Sequence, residues 1–224
     1  MKKDYTKIIF IVDRSGSMKT IAKDVIGGYN KFIADQKALK IGTCDVSYYQ
    51  FDNEYEAVYE NTPIDFVKEL DEKTFVPRGG TALLDAVGRT IENVGKHLAS
   101  LSENERPDRV LLVILTDGEE NSSRFYNSDR VKQMVQHQQN NYKWEFSYIG
   151  ANQDAWQTGS SMGIAYASNL TYAANSDGTK SAFSSLSCNV SSYRSSKKSN
   201  FSFEKKDIED QVKAGAVISK DVVI

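Results

Sequence analysis

Ile8-Ile9-Phe10-Ile11-Val12-Asp13-Arg14-Ser15-Gly16-Ser17 is the stretch that decides the fold. Its first five residues are continuously apolar and rich in β-branched side chains, as in a strand buried on both faces of a parallel sheet. The polar residues that follow turn the chain. Apolar residues then recur at Ile21, Val25, Tyr29, Phe32 and Ile33 with helical spacing, ending near Lys40 and Gly42. Strand, turn and helix make a first unit.

Outward from that unit, Cys44 to Phe51, the turn Asp52-Asn53-Glu54 and Tyr55 to Tyr59 predict a hairpin that puts one antiparallel strand at the sheet edge. A short helix is expected from Pro63 to about Leu70. Pro77-Arg78-Gly79-Gly80 breaks the chain, and Thr81 opens the clearest amphipathic helix, carried by Leu84, Val87, Ile91, Val94 and Leu98. Arg109 to Leu115 reads as a second buried strand ending in Thr116-Asp117-Gly118. Helices at Ser128 to Asn140 and Asp154 to Met162, with strands at Lys143 to Ile149 and Ile164 to Ala167, continue the alternation. Phe183, Leu186, Val190 and Tyr193 mark a further helix, and Glu204 to Lys213 another, before the apolar end Val222-Val223-Ile224. The expected class is therefore α/β, a Rossmann-like open, mostly parallel sheet with one antiparallel edge strand and helices on both faces. Residues 1–195 are assigned to this domain and 196–224 to a C-terminal extension.

The 224 residues suit one such domain with elaborations. With 40% apolar and 26% charged residues, ten Phe, twelve Tyr and two Trp, a packed core is supplied, and disordered or fibrous folds are excluded. Lys and Arg total 28 against 30 for Asp and Glu, so the net charge of −2 gives no broad field toward nucleic acid or anionic membrane. The longest apolar run, Val110 to Leu115, falls far short of the roughly twenty residues of a membrane span. Ile8 to Val12 is too short for the core of a signal peptide, and a cytoplasmic location is expected. Cys44 and Cys188 lie far apart without a CxxC pattern, which gives neither a disulfide framework nor a zinc site; both read as semi-buried residues.

Open α/β sheets bind ligands beyond the carboxyl ends of their strands. The turn from Asp13 to Ser17, the Asp52 hairpin tip and Asp117 all fall at such ends, and the helix opened by Thr81 starts from the same edge. Asp13, Ser15 and Ser17 bear oxygen at every second position, with Gly16 allowing a tight turn. Thr81 and Asp117 complete a set of two carboxylates and three hydroxyls without His or Cys. Hard cations take such a set: Mg²⁺ binds six oxygens at about 2.1 Å, with Mn²⁺ or Ca²⁺ as alternatives. The competing reading is that these residues only cap the helices that follow. Glu119 and Glu120 read as a solvated acidic turn, Asp52 and Glu54 as a polar turn, and Asn152-Gln153-Asp154 as a helix cap. Tyr48, Tyr49, Tyr55 and Tyr59 give the hairpin an aromatic character that fits cross-strand packing or a docking surface.

This constellation resembles the metal-ion-dependent adhesion site of the von Willebrand factor A domain family, which combines an Asp-x-Ser-x-Ser turn, a threonine and a later aspartate. The matching residues are Asp13, Ser15 and Ser17, Thr81 in Gly79-Gly80-Thr81-Ala82-Leu83, and Asp117 in Leu115-Thr116-Asp117-Gly118. The resemblance runs from about Lys7 to Val190, and Ser191 onward has no counterpart in it. It implies that Ser15, Ser17 and Thr81 ligate a divalent ion directly, Asp13 and Asp117 directly or through water, with a position left for an acidic residue of a partner. With at most two formal negative charges around it, the ion keeps electrophilicity that a partner Asp or Glu satisfies. The resemblance thus implies a non-catalytic, metal-dependent protein-interaction module of the intracellular bacterial or phage kind. A metal-independent scaffold is the bland alternative. A Mg²⁺-dependent phosphoryl-transfer enzyme fits less well, because the haloacid dehalogenase layout has Asp-x-Asp where this chain has Ser15. A P-loop lysine after Gly79-Gly80-Thr81 and a Gly-x-Ser-x-Gly elbow around Ser15 are both lacking, against nucleotide binding and serine hydrolysis.

Overall fold

The apolar run at the start of the chain forms the middle of strand β1 (Lys2–Asp13), and Ile8, Ile9, Phe10, Ile11 and Val12 are all at most 1% exposed. In the computed structural model, which describes residues 1–151 and 154–218, β1 pairs in parallel with β2 (Thr43–Phe51) on one side and β4 (Pro107–Thr116) on the other. The antiparallel hairpin from β2 to β3 (Tyr55–Pro63) makes one edge, and β5 (Glu145–Ala151) and β6 (Asn169–Tyr172) extend the other edge in parallel. The order is β3-β2-β1-β4-β5-β6.

Helices α1 (Ala22–Ala38) and α5 (Ser176–Arg194) cover the face that receives Ile8, Phe10 and Val12. The other face, receiving Ile9 and Ile11, is covered by α2 (Leu83–Ser100), α3 (Ser128–Tyr142) and α4 (Ala155–Ser161). The α2 stripe is the one read from the sequence, with Val87, Ile91, Val94 and Leu98 buried. Close approach of α1 to α5 depends on Gly28, since a Cβ there would stand 2.3 Å from the Phe183 ring. The α/β class and the antiparallel edge strand are as expected.

Three sequence expectations are corrected. Between Pro63 and Leu70 only a 3-10 turn, Ile64–Phe66, forms instead of a helix. The segment's backbone is satisfied by side chains of α1: Asn30 pairs with both the N–H and the carbonyl of Leu70, and Lys37 donates to Val67 O. The sixth strand is Asn169–Tyr172 and not Ile164 to Ala167. There Ile164 N–H bonds back to Gly159 O, Gly163 takes a left-handed φ of 82°, and Ile164 packs with the α2 and α3 layer. Cys188 is exposed on α5 and Cys44 buried, so neither is semi-buried.

Beyond Ser195 the chain stays on the domain. Phe201 and Phe203 are buried in the α1/α5 core, and Phe203 N–H bonds to Ala167 O. Helix α6 (Lys205–Lys213) contributes Gln211, fully buried, whose amide accepts from Ala173 N–H and donates to Gly178 O. No helix among the described residues is long and apolar enough to cross a membrane. Val222-Val223-Ile224, and Asn152 and Gln153 of the proposed cap, lie outside the described residues.

Candidate metal centre

The chain runs from β1 outward to β3, then returns to the other side of β1 through β4, so a crevice opens between the carboxyl ends of β1 and β4. Asp13 ends β1 there and Thr116 ends β4. Asp13 is fully buried: Oδ1 accepts Ser15 N–H at 2.6 Å and Oδ2 accepts the Thr116 hydroxyl at 2.6 Å. Burial pushes its carboxyl up to about 6 against the lowering effect of these donors, and the Asp117 charge adds to the rise. Burial likewise raises Asp117.

Ser17 Oγ donates to Asp117 Oδ1 at 2.5 Å and lies 3.0 Å from Ser15 Oγ. That spacing matches the edge of an octahedron, about 3.0 Å, around an ion with 2.1 Å bonds. Thr81 enters through Gly118: a Cβ on this glycine would stand 2.7 Å from Thr81 Oγ1, 3.4 Å from Asp13 Oδ2 and 3.6 Å from Ser15 Oγ. The five residues singled out in the sequence are therefore brought together, with the oxygens of Thr81, Asp13 and Ser15 so close to Gly118 that a side chain there would crowd them.

Of the local bonds that capping would use, Asp13 Oδ1 accepts Ser15 N–H, while Ser15, at the start of the 3-10 turn Gly16–Thr20, makes no side-chain cap hydrogen bond. The α2 amino end is served by the β4–α3 loop, where Glu120 accepts Leu84 N–H and Ser123 Oγ accepts Asp85 N–H. Glu120 also accepts Ser122 and Ser123 N–H, so it is a structural tie and not a solvated residue, whereas Glu119 is exposed. Asp154 does cap α4, accepting Gln157 N–H.

Asp52 is not a free polar turn either: it is 2% exposed and its Oδ2 accepts Arg14 Nε at 3.0 Å and Arg78 Nε at 2.8 Å. Burial alone would raise its carboxyl, but the Arg78 and Glu54 hydrogen bonds and both guanidinium charges hold it below its ordinary value. Glu54, by contrast, is exposed and pairs with Arg78. Among the hairpin tyrosines, Tyr49 stacks on Tyr55 and Tyr48 on Tyr59, which is cross-strand packing.

Sequence reasoning passed over Thr116, Gly118 and Tyr172. Thr116 had a usable signal, a hydroxyl at the end of a buried strand directly before Asp117. Tyr172 is buried at the end of β6, its hydroxyl has no hydrogen-bond partner among the described residues, and burial, reinforced by the Asp117 and Asp13 charges, holds it well above its ordinary pKa. Among the described residues no group of three or more His, Cys, Asp and Glu side chains stands ready for a metal. The donor set here is two carboxylates with three hydroxyls, and its all-oxygen chemistry fits a hard divalent ion.

No family model and no curated protein matches this chain. Solved structures do. The ArnB paralog VWA2 from Sulfolobus acidocaldarius is 17% identical with a TM-score of 0.51, over 82% of this chain and 44% of that one. A von Willebrand factor type A structure from Catenulispora acidiphila is 13% identical with a TM-score of 0.54, over 82% of this chain and 42% of that one. Proximal thread matrix protein 1 from the mussel byssus, with a zinc-occupied MIDAS motif, is 12% identical with a TM-score of 0.55, over 84% and 46%. This chain thus spans less than half the length of each of the three. At these identities the likeness is one of architecture, and the described chain has the von Willebrand factor A fold.

Proposed function

We propose that this chain is a protein-interaction module that captures an aspartate or glutamate of a partner protein through a divalent cation, Mg²⁺ in the first instance. The observation that carries this reading is the convergence of Asp13, Ser15, Ser17, Thr81 and Asp117 beside Gly118, without an ion pair to either aspartate among the described residues. Ser15, Ser17 and Thr81 would hold the ion with their hydroxyl oxygens, and Asp13 and Asp117 would supply the negative charge directly or through water. When bound, the ion supplies an electrophilic position for an incoming carboxylate. Thr116 holds Asp13 in place through its hydroxyl. Nothing in this arrangement requires a nucleophile or a general base, so the reading is one of binding and not of catalysis.

The test is a Mn²⁺ titration of the purified protein, with free ion read by electron paramagnetic resonance and bound-ion hydration by water proton relaxation. Wild type is expected to bind one ion saturably, Asp13→Ala none, and added acetate to lower the relaxation enhancement by displacing water. Equal binding by wild type and Asp13→Ala would remove the site assignment, and an unchanged relaxation with acetate would remove the carboxylate reading.

A further inference from the structure

Three separate chain segments surround the candidate centre, and a partly buried ionic cluster beside it ties two of them, the Asp13–Ser17 turn and the Thr81 segment, to the β2–β3 hairpin. Arg14 stands between Asp13 and Ser15, yet its guanidinium turns away from both: it is 5% exposed and pairs with Asp52 through Nε and with Glu56 through Nη1. The same Asp52 carboxylate receives Arg78 Nε, while Arg78 Nη2 reaches Glu54 at 2.5 Å. Backbone bonds follow the side chains. Arg78 N–H donates to Arg14 O at 2.7 Å, Gly16 N–H to Gly79 O at 3.1 Å, and Ala82 N–H to Asp52 O at 3.0 Å. Gly80 N–H donates to Asn53 Oδ1 at 2.7 Å. Both neighbours of Thr81 are thereby bound to the tip of the β2–β3 hairpin, and that tip is held by the residue between two of the other oxygen donors. On its far side, Thr81 is fixed by Asn121, whose Oδ1 accepts Thr81 N–H at 2.9 Å.

We propose that Arg14, Asp52 and Arg78 are positioning residues for the candidate centre, a clasp that sets Thr81 against the Asp13–Ser17 turn. The proposal rests on the reading of that centre given above. Fields alone would make removal of either guanidinium favour a bound cation, since each arginine is a positive charge beside the centre and the acidic partners Asp52, Glu54 and Glu56 would stay. The use of the arginines must then be geometric, and supporting residues of this kind typically change metal affinity by about 10- to 100-fold.

This makes the direction of the effect decisive. Arg78 is half-exposed, so Arg78→Ala is expected to leave thermal unfolding of the metal-free protein nearly unchanged while weakening Mn²⁺ binding by about 10-fold. Arg78→Lys, which keeps the charge and one donor, is expected to recover part of the loss. In a Thr81→Ala background, Arg78→Ala is expected to cause no further loss, because the clasp acts through Thr81. Hydrogen exchange should accelerate at the Gly16 and Ala82 amides in Arg78→Ala. Equal or tighter Mn²⁺ binding by Arg78→Ala, or an undiminished further loss in the Thr81→Ala background, would overturn the clasp while leaving the centre intact. Failure of wild type itself to bind Mn²⁺ would instead overturn the reading of the centre and the clasp's role with it.

Discussion

Strand β1 buries two charged side chains on one face, Lys7 and Asp13, and they are treated in opposite ways. Lys7, fully buried, has its countercharge built in: Nζ lies 3.4 Å from Asp45 Oδ2 and 2.6 Å from Asn61 Oδ1, and Tyr5 donates to the same aspartate at 2.7 Å. Burial pulls the lysine's pKa down, and Asp45 opposes that pull. Asp13 is buried just as deeply, but its partners are hydroxyls, an amide and a second carboxylate, and the nearest guanidinium is engaged elsewhere. A buried charge is stable when paired and strained when left alone. Lys7 thus completes a structural ion pair, whereas Asp13 and Asp117 share a region in which neither carboxylate has a cationic partner among the described residues. That deficit is the physical argument for a cation.

The two regions should respond oppositely to loss of their charge. Lys7→Met leaves Asp45 buried without its partner and should destabilise the protein by about 3–5 kcal/mol in urea unfolding. Asp13→Asn, which removes an uncompensated charge, should leave the metal-free protein as stable or more so; a loss comparable to that of Lys7→Met would break the comparison. Mg²⁺ at about 100 times its Kd should stabilise wild type by about 2.7 kcal/mol and Asp13→Asn not at all. Gly118→Ala deletes no oxygen, but its Cβ would stand 2.7 Å from Thr81 Oγ1 and push that buried hydroxyl out of place, so it should abolish this Mg²⁺ effect. Thr116→Val should weaken Mn²⁺ binding by about 10-fold, because Asp13 loses the donor that orients it.

Glu145 offers a control carboxylate at the start of β5. Burial raises it to about 7, partly opposed by the Phe201 amide. Its native pKa exceeds its unfolded value of 4.5, so the native state holds the extra proton between the two and stability falls as pH rises through that window. Glu145→Gln should therefore gain stability at pH 8 relative to wild type, with no gain at pH 4 and no dependence on Mg²⁺. A Mg²⁺-sensitive difference would show that cation response is not confined to the Asp13 region.

What was legible in the sequence was what is local or strictly periodic. Ile8 to Val12 and Val110 to Leu115 announce central strands because both faces are buried, and α2 follows from a single apolar stripe. The Pro63 to Leu70 helix was misread because its backbone is satisfied by Asn30 and Lys37, far away in sequence. The last strand lies elsewhere because apolar Ile164 packs with the α2 and α3 layer and its N–H bonds back to Gly159 O, not into the sheet. In the centre, Asp13, Ser15 and Ser17 were legible from alternate spacing, and Thr81 and Asp117 from their strand and helix ends. Arg14, Asp52 and Arg78 were not, since each looks like an ordinary turn residue until the hairpin folds over the first turn. Phe201 and Phe203 stand in a polar stretch whose burial no period reveals.

The most direct measurement is a crystal structure of the protein grown with MnCl₂, with manganese located by its anomalous scattering. The account predicts one strong peak beside Gly118, with oxygens of Ser15, Ser17 and Thr81 and the two aspartates around it. A clean anomalous map with no peak there, at a concentration that saturates the protein in solution, would contradict it.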